Sequence, residues 1–376
     1  MDKQSRLHFV DLHRAIALLV MIEVHVFNSM LIPSVKQTGW FSVLNFINGL
    51  VAPSFLFVSG IAFVLSSRSK LDEQRNFGKA FWKRLQRISL VFIAGYSLHL
   101  PVLSMRKMIY EISYEKVLGF YNVDVLQCIA TGLLLLFIIR LAIKNDRLYH
   151  FVILTLVIII VAISPLMWSI DFGNYLPIPL ANYFNQKHGS FFPLFPWLGF
   201  LFSGVVIMNI FLEFREKGLE EFFVKRMMII SLIVILLSHL LLSDLFPQVI
   251  RSIRPNPIFF VERLAYVCLI FSLCFYFLRK KEISKSLILD VSRESLLVYW
   301  LHLTLLFGVA IKGKSIVQWV NTTFGVLECL VATIIMILLM ILAAKAWGFV
   351  KFNYPRAASI ITAVVILGGL AAFFVT

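Results

Sequence analysis

The sequence predicts an all-α integral membrane protein, built from about eleven transmembrane helices with a cytoplasmic N-terminus. Three observations carry this prediction. Of the 376 residues, 60% are hydrophobic and 15% are charged, whereas a soluble chain carries about 25% charged residues. Apolar runs of about eighteen residues or more, long enough to cross a bilayer as helices, recur along the whole chain. Basic residues collect in alternate loops between these runs.

The predicted spans follow one another with short polar connections. They are residues 8–32, 44–65, 85–104, 123–143, 148–168, 191–212, 226–243, 258–278, 290–311, 326–346 and 357–375. No soluble domain separates them, so residues 1–376 are expected to form a single transmembrane domain. A cleavable signal peptide is not expected, because the first apolar run is long and contains charged residues.

The orientation follows from the 35 Lys and Arg residues. The N-terminus and the even-numbered loops contain 23 of them, the odd-numbered loops and the C-terminus contain nine, and Arg14, Arg263 and Arg293 lie within spans. Short loops rich in Lys and Arg stay in the cytoplasm, which places the N-terminus inside. The net charge of +15 is then expected to face anionic lipid, and nucleic acid is not expected as a partner because no nucleotide-binding motif is present.

The first span is unusually polar for a membrane helix. A charged side chain at the bilayer centre costs about 2.5–3.5 kcal/mol on insertion scales, yet residues 10–25 contain Asp11, Arg14, Glu23 and two histidines. A helix turns by about 100° and rises about 1.5 Å per residue. Arg14 and His25 therefore share one face, about 16 Å apart along the axis, and Asp11 lies close to that face. Such a face is expected to line the protein interior.

Two interpretations of this face are open. In the first, an active site runs through the membrane: Arg14 near the cytoplasm holds an anionic donor, and His25, deeper in the bilayer, acts on an acceptor from the other side. Imidazole suits this chemistry because its unperturbed pKa is near neutrality. In the second, Asp11 and Arg14 form a salt bridge at the start of the helix, and His25 is a packing residue.

A later span supports the catalytic interpretation. The stretch DVSRESLLVYWLH (290–302) again opens with an aspartate and an arginine, Arg293, and again reaches a histidine in the bilayer, His302. Tyr299 lies near the same helix face as His302. For His302 a packing role is equally open.

Five stretches of the chain resemble, in order, the heparan-α-glucosaminide N-acetyltransferase family, most closely its bacterial branch of membrane proteins. They are RLHFVDLHRAIALLVMIEVH (6–25), APSFLFVSGIAFVLS (52–66), DVLQCIA (124–130), FPLFPWLGFLFSG (192–204) and SRESLLVYWLH (292–302). One departure concerns the active histidine. The animal lysosomal enzymes have asparagine where His25 stands and their histidine in the following loop, but this chain has no histidine between residues 26 and 98.

The resemblance implies a transmembrane acyltransferase that moves an acyl group, expected to be acetyl, from cytoplasmic acetyl-CoA to an extracytoplasmic sugar or glycan. By position it makes Asp11, Arg14 and His25 the polar set of the first span, and it brings Gln127, Trp197 and His302 from the later motifs. The histidine would either remove a proton from the acceptor or accept the acyl group first.

Each predicted site residue thus has an expected role. Guanidinium groups pair well with phosphate, so donor contacts are expected from the cytoplasmic side. The predicted catalytic residues are His25 and His302, the predicted donor-binding residues are Arg14, Asp11, Arg84, Arg87 and Arg293, and the predicted substrate-binding residues are Gln127, Trp197 and Tyr299.

The expected partners are membrane lipid and an extracytoplasmic carbohydrate, and the expected location is a bacterial cytoplasmic membrane. No metal is expected, because the four cysteines lie in apolar runs without CxxC spacing. The sequence leaves a homodimer open. Two rivals to the enzyme are a proton-coupled secondary transporter of a small solute, since intramembrane His, Glu and Arg also build proton relays, and a structural or lipid-binding membrane protein.

Overall fold

The computed structural model describes residues 7–67, 71–279, 287–308 and 314–375. In chain order, its helices are α1 (His8–Met30), α2 (Pro33–Lys36), α3 (Gly39–Asn48), α4 (Val51–Ser67), α5 (Leu71–Arg75), α6 (Lys79–Leu98), α7 (Met105–Tyr110), α8 (Tyr114–Phe120), α9 (Val125–Ala142), α10 (Asp146–Ser169), α11 (Ile178–Ala181), α12 (Leu194–Glu216), α13 (Glu220–Leu241), α14 (Gln248–Ser252), α15 (Pro257–Leu278), α16 (Leu287–Arg293), α17 (Ser295–Phe307), α18 (Ile316–Val320), α19 (Val326–Asn353) and α20 (Pro355–Val375). A 3₁₀ turn at Phe172–Asn174 precedes α11.

The prediction of a helical membrane protein is confirmed. Eight helical segments within the described residues are long and apolar enough to cross a membrane: Gly39–Ser67, Val125–Ala142, Asp146–Ser169, Leu194–Glu216, Glu220–Leu241, Pro257–Leu278, Val326–Asn353 and Pro355–Val375. The other three predicted spans correspond to α1 and α6, which contain several charged residues, and to α16 with the 13-residue α17. The count of eleven, the cytoplasmic N-terminus and the single domain stay predictions.

Some predicted features fall on residues outside the described ranges. These are the end of the ninth span, 309–311, and the basic residues Lys3, Arg6, Arg68, Lys70, Lys280, Lys281, Lys285 and Lys312 of the orientation argument. Within the described part of the ninth span the chain is not one helix. α16 ends at Arg293 and α17 begins at Ser295, because Glu294 between them departs from helical geometry (φ −104°, ψ 31°).

The chain folds into two compact units. The first contains the described residues of Met1–His13, Ala52–Gly95 and Asn122–Glu282. The second contains those of Arg14–Val51, Tyr96–Tyr121 and Ile283–Thr376.

In the first unit, α4 and α12 approach each other closely at two glycines. A Cβ atom at Gly60 would lie 2.0 Å from the carbonyl oxygen of Leu201, and one at Gly204 would lie 2.0 Å from the carbonyl oxygen of Phe57. Only glycine permits backbones to touch in this way, as at other close helix crossings in membranes. Both glycines belong to stretches that carry the family resemblance, and the close crossing of α4 and α12 explains why glycine is required at these two positions.

In the second unit, α19 packs against α16, α17 and α20. The end of α1 is fixed to the segment before α19, since the Ile32 N–H donates to the Phe324 carbonyl (2.9 Å) and the Phe324 N–H donates to the Met30 carbonyl (3.0 Å). The indole N–H of Trp300 on α17 donates to the Ser97 hydroxyl at 2.8 Å. These hydrogen bonds hold α1 and α17 in place within the unit.

Candidate active site

The predicted site residues fall into two groups, one in each unit. The first unit contains Asp11, Arg84, Arg87, Gln127 and Trp197, and the second contains Arg14, His25, Arg293, Tyr299 and His302. Both residues predicted to be catalytic therefore belong to the same unit.

The imidazole rings of His25 and His302 contact each other. Nε2 of His302 lies 3.2 Å from Nδ1 of His25, a hydrogen-bond distance, and the ring centroids are 5.1 Å apart. His302 is fully buried and His25 is half-buried. The structure thus joins two histidines from α1 and α17 that the sequence places 277 residues apart.

The second nitrogen of His302 fixes the direction of this hydrogen bond. Its Nδ1 lies 2.7 Å from the carbonyl oxygen of Val298, one helical turn earlier. A carbonyl oxygen only accepts, so Nδ1 of His302 carries a proton, and in a neutral ring its Nε2 carries the lone pair. His25 then donates from Nδ1. The same rule applied to His25 places its lone pair on Nε2, the form that a general base or a nucleophile requires.

Aromatic side chains surround the pair. The ring of Tyr299 stands edge-on to His302, with centroids 5.8 Å apart, and the ring of Phe307 stands edge-on to His25 at 6.1 Å. Tyr299 is itself buried. These rings pack against the imidazoles, restrict their rotation and place apolar surface beside the hydrogen bond.

Arg14 lies on the same helix as His25. α1 runs without interruption from His8 to Met30, so the predicted separation of about 16 Å along the axis holds. Between the two residues, Leu18 and Ile22 are fully buried, and Arg14 is half-buried. This face of α1 therefore looks into the protein, as a functional interpretation of its polar residues requires.

Arginine 84 of the first unit is engaged within the fold. Its guanidinium donates to the Ser67 hydroxyl at 2.5 Å and lies over the Phe63 ring, 4.7 Å from the centroid. Arg87, one turn later, is exposed, and Asp11 is buried. Contacts of these three predicted residues with a donor stay predictions.

Gln127 has a structural role at the start of α9. Its side-chain oxygen accepts from the Asp124 N–H (3.3 Å), and the Asp124 carboxylate caps the helix in return. This arrangement is a capping box. The Gln127 side chain is fully buried and its Nε2 has no hydrogen-bond partner within the described residues.

Trp197 of the first unit packs against Phe192 and Phe200, with ring centroids 4.7 and 5.9 Å away. Its indole nitrogen is buried and lacks a hydrogen-bond partner among the residues that the structure describes. The predicted substrate contacts of Trp197 and Gln127 stay predictions.

Arg293 of the second unit forms an ion pair with Asp290 at 3.3 Å, at the edge of a cavity of about 370 Å³ between α16 and α19. The cavity also contains Lys345 and Lys351. Neither lysine is among the predicted site residues. The signal in the sequence that could have identified them is a pair of lysines beside Gly348 at one end of a long apolar helix. The predicted contact of Arg293 with CoA stays a prediction.

Comparison with known protein families identifies one that matches most of this chain. The model of the family described as heparan-α-glucosaminide N-acetyltransferase, catalytic, matches residues 6–249. The matched part includes His25 but ends before His302. No curated protein shows a significant match to the chain. Since the family model covers more than half of the sequence, the chain belongs to the heparan-α-glucosaminide N-acetyltransferase catalytic family, and its function is of the transmembrane acetyltransferase type.

Proposed function

We propose that this protein transfers an acetyl group from cytoplasmic acetyl-CoA to a hydroxyl or amino group of an extracytoplasmic sugar or glycan. The hydrogen-bonded pair of His25 and His302 is the observation that carries the proposal. Family membership supports the acetyl transfer, and the pair supplies a base whose lone pair is fixed on one nitrogen. The membrane is proposed to be a bacterial cytoplasmic membrane.

His25 acts as the general base in this proposal. Its Nε2 takes the proton of the acceptor hydroxyl or amine while the acceptor oxygen or nitrogen attacks the thioester carbonyl carbon. A new C–O or C–N bond forms, the C–S bond breaks, and the thiolate of CoA takes up the proton from the imidazolium. His302 touches neither reactant in this scheme. It holds His25 in the required tautomer through the hydrogen bond to Nδ1.

Arg14 binds the anionic part of the donor. A guanidinium forms charge-assisted hydrogen bonds to phosphate. Arg14 lies about 16 Å from His25 along α1, a distance that the extended pantetheine arm of CoA spans. With the N-terminus in the cytoplasm, as proposed, Arg14 is near the inner leaflet and His25 is in the outer half of the bilayer.

Sealed vesicles test the proposal. Inside-out membrane vesicles receive acetyl-CoA labelled in the acetyl group, with candidate amino sugars and glycans enclosed in the lumen. Label attached covalently to lumenal sugar supports the enzyme. Solute that crosses the membrane unmodified, with no labelled sugar for any acceptor, refutes it and supports a secondary transporter.

A further inference from the structure

The cavity between α16 and α19 is charged and lies outside the histidine pair. Its polar lining consists of three cationic and two anionic side chains, namely Arg293, Lys345, Lys351, Asp290 and Glu294. Its volume of about 370 Å³ is within the range of small-molecule sites. All of its lining residues belong to the second unit.

The charges in this cavity leave one cation unneutralised. Arg293 pairs with Asp290 at 3.3 Å, and Lys351 pairs with Glu294 at 2.8 Å. Within the described residues, no carboxylate pairs with Lys345, which is exposed. The lining therefore carries one net positive charge, centred on Lys345, and it suits a ligand group with a single negative charge.

The position of the cavity points to the membrane surface. It lies at the C-terminal end of α19, a helix long and apolar enough to cross a membrane. Phe349 and Phe352 line it and are 60% and 87% exposed. Lysines near the end of a spanning helix extend to the level of the lipid headgroups, and exposed phenylalanine rings beside them are suited to contact with acyl chains. A Cβ atom at Gly348, which also lines the cavity, would meet no atom within 4 Å, so the space beside this glycine is open.

We infer that this cavity binds the headgroup of an anionic phospholipid with a single phosphodiester, such as phosphatidylglycerol. The phosphodiester accepts hydrogen bonds from Lys345 and from the remaining N–H groups of Arg293 and Lys351. Asp290 and Glu294 accept from headgroup hydroxyls, and the two phenylalanines contact the acyl chains. The same carboxylates disfavour a polyanion such as CoA, because its several negative charges exceed the single positive charge of the lining.

Native mass spectrometry of the full-length protein in detergent tests this inference. Short-chain phosphatidylglycerol, phosphatidylethanolamine and phosphatidylcholine are titrated separately, and the lipid adducts are counted. Phosphatidylglycerol is expected to bind about fivefold more tightly than the two zwitterionic lipids. This ratio corresponds to the attraction of about 1 kcal/mol between one lysine and an anionic lipid surface. Lys345→Gln should remove this preference, while Lys217→Gln, a change to an exposed lysine after α12, should preserve it.

A second pair of variants separates the cavity from the general charge of the surface. Gly348→Leu fills the open space without changing a charge and should weaken phosphatidylglycerol binding, whereas Gly348→Ala should leave it intact. Equal binding of all three lipids, or full binding by Gly348→Leu, overturns the inference. Displacement of phosphatidylglycerol by CoA overturns it too and assigns the cavity to the donor. The readout does not involve acetyl transfer, so this inference and the proposed function stand or fall separately.

Discussion

Two contacts of histidines within the membrane helices differ: one joins His302 to His25, and the other joins His239 to Glu262. In the second unit, His302 bonds to His25 and to a backbone carbonyl. In the first unit, Nε2 of His239 on α13 lies 3.4 Å from a carboxylate oxygen of Glu262 on α15, and 3.1 Å from the Tyr266 hydroxyl. Glu262 is buried, but the imidazole of His239 is more than half exposed.

The difference teaches which histidine is prepared for chemistry. His25 and His302 lie in stretches that carry the family resemblance, residues 6–25 and 292–302, whereas His239 lies in none of them and is more exposed than either. The carbonyl of Val298 fixes the proton of His302, and the hydrogen bond between the two imidazoles then places the lone pair of His25 on a defined atom. We therefore assign catalysis to the pair of His25 and His302, and a structural role to the pair of His239 and Glu262.

The largest expected effect is that of His25→Ala. Removing the general base should lower the turnover number for acetyl transfer by about 10²–10⁴-fold. The measurement is the rate of label transfer from acetyl-CoA to sugar with purified protein, compared at equal expression and monodispersity. His25→Asn, which introduces the residue that the animal enzymes have at this position, should be equally inactive. Turnover at the wild-type level in both variants would remove His25 from the mechanism.

His302 should show a smaller effect that depends on the replacement. His302→Leu removes the imidazole that accepts from His25 Nδ1, and the loss of this hydrogen bond should lower the turnover number by about 10–100-fold. The glutamine in His302→Gln offers a carbonyl oxygen as acceptor and should retain more of the activity. The KM for acetyl-CoA should change in neither variant.

Kinetics of both His302 variants distinguish positioning from packing. Leucine and glutamine have similar sizes, so a packing role predicts equal losses. If the turnover numbers fall together, His302 fills space and the tautomer argument fails.

Arg14→Ala should weaken binding of the acetyl-CoA donor without changing the rate of acetyl transfer. Loss of a charge-assisted hydrogen bond to phosphate is expected to raise the KM for acetyl-CoA by about tenfold or more, with turnover at saturating donor unchanged. Arg14→Lys should give an intermediate KM, because it keeps the charge but not the forked geometry. An unchanged KM in Arg14→Ala would separate this arginine from the donor site.

The sequence predicted local features well. The long helices coincide with apolar runs, because crossing a bilayer requires a continuous apolar helix whatever its neighbours are. The inward face of α1 was also predictable, since charged residues at helical spacing must avoid lipid. The capping box of Asp124 and Gln127 could have been recognised from the D-x-x-Q pattern. It gives Gln127 a structural role beside its predicted contact with substrate.

Contacts between distant segments were not predictable in the same way. Spacing along one helix fixes which residues share a face, but it does not say which other helix meets that face. The contact of His25 with His302 depends on how α1 and α17 pack, and the break at Glu294 sets where α17 begins. Within the described residues, the unpaired charge of Lys345 likewise follows from two ion pairs, Arg293 with Asp290 inside α16 and Glu294 with Lys351 of α19.

The smallest effect on turnover is expected from His239→Ala, the matched control for His25→Ala. Its acetyl transfer should stay near the wild-type rate, but the buried Glu262 carboxylate loses a partner, which should cost about 1–3 kcal/mol of stability. Glu262→Gln in the same background should recover part of that loss, because a neutral amide is cheaper to bury than an unpaired charge. Thermal unfolding of the two single variants and the double variant gives the coupling between the residues. A fall in turnover as large as that of His25→Ala would place catalysis in the first unit as well and end the contrast between the two pairs.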